Sequence, residues 1–545
     1  MTPRPGPLAP AARALPCAAH FRRRRTLPIV TTVLVFAATL SLPRIVRAQE
    51  SADPDTSYLA GEPAIESLDL TLEQAQRLAT AHSPAARSAM AALRSARGAR
   101  MKEAGAHDPA FHASNEQLSV DIPYISPSPF QSFRQRTRTA SAGLAWHSPL
   151  GTSLDLTLSR VRFEDDNGFN TLPTSRTARA RLDFVQPLLG GFGPAAARGE
   201  LRAASRELEA AREALRAATL DLDAQVEGAY WELYAMDHRL AVQRLLRQRA
   251  AVFLRDQVLR GRAGVVGPGA VAIARTFLAE QETALLDARL REAAASDRLA
   301  EVIGIRPRET ERYRALDEPP APAAVEPIET VLARAFEANP SLRAGRADSL
   351  AARARERRGA RNRWPTVEAF GGYGAAGLAG IGREVTFAGS TFGTVFDRDF
   401  GDAWDQVSGR DFPAWSFGIR MRVPFGWRAE RGEYQRQLGL YERALEAQRA
   451  RRLALESMVR AAHRESELGQ RELDAARTLV EAAEEQARIA RLEYQAGRGT
   501  AYDLVNFEAD LAAARLRETE VRVRIARASA ELRRLTPSAP GRTPR

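Results

Sequence analysis

Two hydrophobic periods divide this chain. From Arg428 to Gly497 apolar residues recur at alternating steps of three and four, from Leu438, Tyr441 and Leu445 through Leu455, Val459 and Ala462 to Ala487, Ala490 and Tyr494. Thirteen of the seventeen positions on that grid are apolar, and the remaining surface is mostly charged. A seam of period 3.5 predicts a long helix packed beside others with a left-handed supercoil. At 1.5 Å per residue the helix would be about 100 Å long, far beyond an ordinary globular helix.

The stretch occurs twice. Arg198-Gly199-Glu200 matches Arg431-Gly432-Glu433, and in the same register Val226 falls on Val459, Ala229 on Ala462, Gly264 on Gly497 and Leu278 on Leu511. Upstream, Pro84 pairs with Pro340 and Pro109 with Pro365 at one constant offset. Each half is therefore expected to run short helix, β region, very long helix, turn, second helix.

Between the helical stretches the period changes to two. Ala140, Ala142, Leu144 and Trp146 alternate with small or polar residues, as do Leu154, Leu156 and Leu158, and Ala178, Ala180, Leu182 and Phe184. In the second half Val367, Ala369, Gly371 and Tyr373 alternate, and Trp415, Phe417, Ile419, Met421 and Val423 alternate with Ser416, Gly418, Arg420 and Arg422. The last strand has the length and two-faced character of a tilted membrane strand. Loops are expected at 121–135, 164–175 and 380–411, and a hairpin around 139–163, turning at Pro149-Leu150-Gly151-Thr152, either joins the barrel or stands outside it. So few strands cannot close a barrel within one chain, and lipid does not tolerate an open edge, so partner copies are implied.

Charge and composition narrow the picture. Residues 1–49 carry Arg22 to Arg25, an apolar run from Leu27 to Leu42, and Val46-Arg47-Ala48 as a small-x-small cleavage site, the form of a secretory signal peptide. That segment holds eight arginines and no acids, so the formal +12 falls to +4 (79 − 8 − 67) for a chain starting at Gln49. Arginine and glutamate are interleaved along the helices, which argues against nucleic-acid binding. The only cysteine, Cys17, precedes the cleavage site, leaving no disulfide or thiolate metal site afterwards. The histidines are scattered, Gly264-Val265-Val266-Gly267-Pro268-Gly269 lacks the Lys-Ser/Thr of a phosphate loop, and no nucleophile elbow occurs, so no enzyme, cofactor or metal site is expected.

Several segments in order carry a resemblance: Leu70-Thr71-Leu72-Glu73-Gln74-Ala75 through Ser83-Pro84, Gln186-Pro187-Leu188-Leu189-Gly190-Gly191-Phe192-Gly193, the tandem halves, and Ala496-Gly497-Arg498-Gly499-Thr500-Ala501-Tyr502-Asp503-Leu504. Over nearly its whole length after residue 49 the chain resembles the TolC-like outer-membrane efflux proteins. The resemblance implies a mainly α fold with membrane β: a homotrimer sharing a twelve-stranded barrel, four strands per subunit, above a periplasmic α-helical tunnel. It also implies a periplasmic adaptor at the helix tips and an inner-membrane transporter of RND or ABC type. The family docks its adaptor with a Val-Gly-Leu or Gly-x-Arg-Thr pattern, so the matching candidates are Gly264 and Val265 at the first tip and Gly497, Arg498 and Thr500 at the second. Arg498 stands one position early in that pattern.

The family also gathers aspartates into rings just past the tips. Asp503 falls on one such position, while Asn506 replaces the second acid and Ala270 stands where the first tip would carry another. Asp503 would also cap the following helix, near whose positive end an acid is favoured. The expected organisation is a signal peptide at 1–49, a first repeat at 50–305 with its β region at 110–187 and hairpin at 194–305, and an irregular linker at 306–327. A second repeat follows at 328–535, with β region 366–424 and hairpin 428–535, and then a disordered tail at 536–545. The expected function is a passive outer-membrane exit duct of a tripartite efflux system. A type I protein-secretion duct of the same fold, a periplasmic coiled-coil scaffold and a diffusion porin are the alternatives, the last disfavoured by the heptad helices.

Overall fold

The computed structural model of the protein describes residues 66–124, 131–168, 170–308, 311–496 and 498–537. The expected signal peptide, Gly497 and residues 538–545 of the expected tail lie outside the described residues. The chain opens with β1 (Glu66–Leu70), α1 (Leu72–His82) and α2 (Pro84–Gly105). Thr71 caps α1 in a reciprocal capping box with Gln74, and Pro84 stops α1 and opens α2, where a missing N–H is harmless. Four strands follow: β2 (Ala110–Tyr124), β3 (Gln131–His147), β4 (Ser153–Asp165) and β5 (Thr174–Pro187). Then come α3 (Pro194–Ala197), the 64-residue α4 (Gly199–Arg262), α5 (Pro268–Ile303) and β6 (Glu311–Ala315).

The second half runs α6 (Ile328–Ala338), α7 (Pro340–Asn362) and β7 (Thr366–Gly382), the short strands β8 (Val385–Phe387), β9 (Ser390–Phe392) and β10 (Phe396–Asp397), then α8 (Phe400–Gly409) and β11 (Phe412–Arg422). It ends with the 68-residue α9 (Arg428–Gln495) and α10 (Ala501–Leu535). Here α9 alone spans about 100 Å. The predicted seam is buried along most of it: Leu455, Val459, Ala462, Ser466, Gly469, Leu473, Ala476, Ala483, Ala487 and Ala490 all face inward. Gly469 is small for a reason, since a Cβ there would sit 2.8 Å from Ile525 of α10.

The largest buried cluster among the described residues lies midway along α4. Tyr230, Leu233, Leu299, Ile303 and Val226 are fully buried together with Trp231. The linker is not irregular throughout, as expected from its prolines: β6 pairs in parallel with β1, from Glu66 opposite Glu311 to Leu70 opposite Ala315. The Tyr230 hydroxyl donates to the Leu70 carbonyl (2.9 Å) and accepts from the Leu316 and Asp317 amides (3.0 Å each), tying this two-stranded layer to α4. Burial pushes its phenol pKa up to about 12.

Two loop expectations are corrected. Residues 121–124 and 131–135 continue β2 and β3, because Asp121 and Arg134 sit opposite each other and pair at 2.8 Å, so their polarity does not break the ladder. The 380–411 stretch contains β8, β9, β10 and α8. The helix starts at Asp399, which forms a capping box with Asp402, and packs Ala403 and Val407 onto Ala178, Ala375 and Ala379. Gln406 satisfies both backbone groups of Leu378 (3.0 and 3.1 Å) where β7 has lost its β11 neighbour.

Candidate functional site

The long strands form one antiparallel sheet in the order β11-β7-β5-β4-β3-β2, with β10 pairing the far end of β7. The resemblance implies four strands per subunit; this sheet has six long ones, because the first repeat contributes four. The hairpin turning near Gly151 belongs to the sheet, with β3 and β4 paired from His147–Ser153 to Gln135–Asp165. Gly151 makes that turn at φ +96°, a conformation open to glycine.

Register places one residue of each strand in rows. Phe111, Leu144, Leu156, Leu182, Tyr373 and Trp415 form one unbroken row across all six strands. They are 74, 47, 43, 44, 51 and 78% exposed. Phe417, Ile419 and Met421 extend this belt along β11. The opposite face is polar: Arg181 pairs with Asp183 (2.7 Å) and donates to Ser416 (3.3 Å), and Arg420 approaches Glu368 at 4.0 Å. One apolar face and one polar face is the arrangement of a barrel wall between lipid and water. The edge strands β2 and β11 are exposed along almost their whole lengths. Among the described residues no helix is long and apolar enough to cross a membrane, which has no bearing on a β-barrel.

The helix hairpins end in two turns. At the first, Gly264 adopts φ +72°, its amide donates to the Gly261 carbonyl (3.1 Å), and Val265 donates to Arg260 (2.9 Å). This six-to-one and five-to-two pair of bonds closes α4 with glycine at the left-handed position. Val265 is 69% exposed beyond it. At the second turn the amides of Arg498 and Gly499 both donate to Glu493. Thr500 caps α10: its hydroxyl accepts from the Asp503 amide (3.1 Å), and its own amide donates to the Asp503 carboxylate (3.2 Å). Asp503 is exposed as well as capping, and Asn506 is half-buried on the next turn.

Just behind the tips the two hairpins are joined by groups the sequence did not single out. Glu508 of α10 is buried and accepts from Arg491 of α9 (2.5 Å) and from Arg249 of α4. Burial pushes its carboxyl up, but the hydrogen bonds from Arg491 and Arg249 outweigh this and hold it below the usual carboxylate range. Closer to the tip, Arg260 of α4 pairs with Asp256 (3.0 Å) and donates to the Tyr494 hydroxyl of α9 (3.2 Å). Arg491 and Glu508 are equidistant from the Gly499–Thr500 turn, a hairpin pairing legible in principle; the reach to Arg249, 259 residues away, is not. Among the described residues no cluster of three or more metal-ligating side chains occurs.

Long paired helical hairpins are thus joined to an amphipathic sheet with two open edges. Residues 331–537 match the family model described as outer membrane efflux protein, and the fold is the TolC-like fold. The resemblance carried by the sequence motifs is borne out. The solved structures most like it include the outer membrane protein VceC of Vibrio cholerae, at TM-score 0.59 and 16% identity over 86% of this chain and 96% of that one. They also include the CmeC outer membrane channel of Campylobacter jejuni (0.60; 13%; 85% of each chain) and the open state of the MtrE outer membrane channel of Neisseria gonorrhoeae (0.57; 17%; 85% and 88%). No curated protein sequence matches the chain.

Proposed function

We propose that the protein is a passive exit duct in the outer membrane, working as a homotrimer that receives cargo from an inner-membrane transporter of RND or ABC type through a periplasmic adaptor. The observation that carries this reading is the six-residue apolar row from Phe111 to Trp415. An exposed belt of that extent on one face of a sheet with open edges is stable in lipid only when neighbouring copies supply the missing strands. Three copies of six long strands make eighteen, a number at which barrels leave an aqueous channel. The α4–α5 and α9–α10 hairpins bridge the periplasm, and the Gly264–Val265 and Arg498–Thr500 turns meet the adaptor.

In this reading Asp503 and Asn506 line the entrance, and the Arg249–Glu508–Arg491 cluster holds the two hairpins of a subunit together while it is closed. Opening requires the hairpins to part, so a variant lacking the carboxylate should conduct more. Membrane fractionation of the full chain, followed by mild-detergent extraction and mass determination, tests the proposal. A trimer in the outer-membrane fraction is expected; a soluble monomer in the periplasm overturns the duct and leaves a helical scaffold. In planar bilayers Glu508→Gln should raise the closed-state conductance severalfold, and an unchanged conductance removes the latch role from this cluster.

A further inference from the structure

Alternation along the strands reverses beyond the apolar belt. Nearest the helices the outward face carries Leu144, Leu156 and Leu182. Farther out the same face carries Arg134, Arg136 and Arg138 on β3, Arg160 and Arg162 on β4, and Arg176 on β5. The apolar residues have moved to the opposite face as Leu118, Val120, Val161 and Phe163. The ladder register is unbroken through this change, so no bulge has exchanged the faces.

Three of the arginines stand directly opposite one another: Arg138 faces Arg162 across β3–β4, and Arg162 faces Arg176 across β4–β5. Like charges placed so are destabilising unless an anion lies among them. The chain supplies part of the counter-charge. Glu164 pairs with Arg162 (2.6 Å) and approaches Arg136 (3.7 Å), Asp121 pairs with Arg134, Asp166 accepts from the Arg134 amide, and Asp397 pairs with Arg176 (3.1 Å). Arg138 and Arg160 have no carboxylate partner among the described residues. Arg160 lies over the Phe400 ring at 5.8 Å, and the buried Nε of Arg162 has no acceptor.

We propose that this arginine row binds phosphate groups on the headgroups of the lipids surrounding the barrel at its outer rim. The inference rests on the outer-membrane reading above, which sets the helices on the periplasmic side and the row just beyond the hydrocarbon belt. Phosphate is the anion that fits: the planar guanidinium forks match its oxygens in pairs. Strands about 4.8 Å apart spread the three aligned arginines over about 10 Å, the span of two phosphates. A soluble polyphosphate offers the same chemistry without the acyl chains, and the belt on the same face, six residues nearer the helices along each strand, is what favours the lipid.

The test uses the full-length trimer extracted in mild detergent and native mass spectrometry. The probes are diphosphorylated lipid A, its dephosphorylated form, and inorganic pyrophosphate. The diphosphorylated lipid should be retained at least tenfold more strongly than the dephosphorylated one. Arg138→Gln combined with Arg160→Gln should abolish that preference without leaving a carboxylate unpaired. Arg179→Gln, on the opposite face of β5, should leave it intact and serves as the folding control. Equal retention of the two lipids by an outer-membrane trimer overturns this inference alone. Binding of pyrophosphate at least as tightly as the lipid overturns the lipid assignment, and failure to reach the outer membrane overturns both readings.

Discussion

Tyr230 and His463 occupy the same position in the two repeats, 233 residues apart, and their surroundings differ. Tyr230 is fully buried, stacked edge-on against Trp231 with ring centroids 5.0 Å apart. His463 is half-exposed and reaches only the Glu326 carbonyl (2.8 Å). The next pair contrasts in the same way, buried Trp231 against exposed Arg464, while Leu233 and Ser466 are both buried but differ in polarity. Both repeats keep the length and register of the hairpin. The first builds the larger core, because β1, β6, α1 and α5 converge there on α4, whereas in the second α6 packs on α9 in a smaller cluster around Val331, Ala335, Leu455, Val459, Ala462 and Leu535. Periodicity is thus a constraint along both hairpins, while buried aromatic side chains on α4 and α9 are confined mostly to the first.

The sharpest way to break this comparison is to empty both positions. Trp231→Ala should cost about 3–5 kcal/mol, and Arg464→Ala should stay within about 0.5 kcal/mol. Denaturant unfolding of the detergent-solubilised protein reads the difference. Comparable losses would mean that the core around Val459 and Ala462 extends to Arg464.

The β regions differ in a second way, four strands in the first half against two long strands and α8 in the second. Whether all six long strands meet lipid can be asked with charges. Phe417→Arg, on the belt, should destabilise the inserted protein by about 2–4 kcal/mol, and Leu156→Arg on β4 by a similar amount. Thr157→Arg, facing the other way, should cost far less. Folding into vesicles under a denaturant series measures all three. A harmless Leu156→Arg would place β4 away from lipid and reduce the spanning set.

Much of this was legible in the chain, for local reasons. The seam from Leu455 to Ala490 is a period of 3.5, and Pro84, Pro268 and Pro340 each open a helix at the position where proline fits. The belt residues on β3, β4, β5, β7 and β11 were visible as alternation. What stayed hidden depends on distant segments meeting. Five residues of β6 lie in a proline-rich stretch and become a strand only because β1 lies beside them. The outer halves of β2 and β3 resemble loops because their polar residues face outward beyond the belt. Glu508 resembles any surface glutamate until α4 brings Arg249 to it. The tip turns were placed from the family's glycine-containing pattern, whereas the contact between Arg260 and Tyr494 beside them was not.

The smallest expected effect concerns Asp237 and its equivalent, Gln470. The Gln470 amide is neutral and donates to the Ala323 carbonyl at 2.6 Å. Asp237 has a buried carboxylate oxygen with no hydrogen-bond partner, and burial, with Glu292 nearby, pushes its pKa up to about 7. A carboxyl whose folded pKa lies above its unfolded value binds protons more tightly in the native state, so it favours folding below about pH 4. That contribution declines as pH rises and is gone once pH passes through 7. A tenfold change in proton affinity corresponds to about 1.4 kcal/mol, and partial access of water reduces the total to about 1–2 kcal/mol. Stability of the wild type should therefore fall between pH 5 and 8, by more than neighbouring groups account for. Asp237→Asn, which copies the neutrality of the second repeat, should flatten that slope and raise stability at pH 8. A parallel pH profile for the two proteins would mean that Asp237 is ionised throughout, and that the two repeats do not differ in charge at this level.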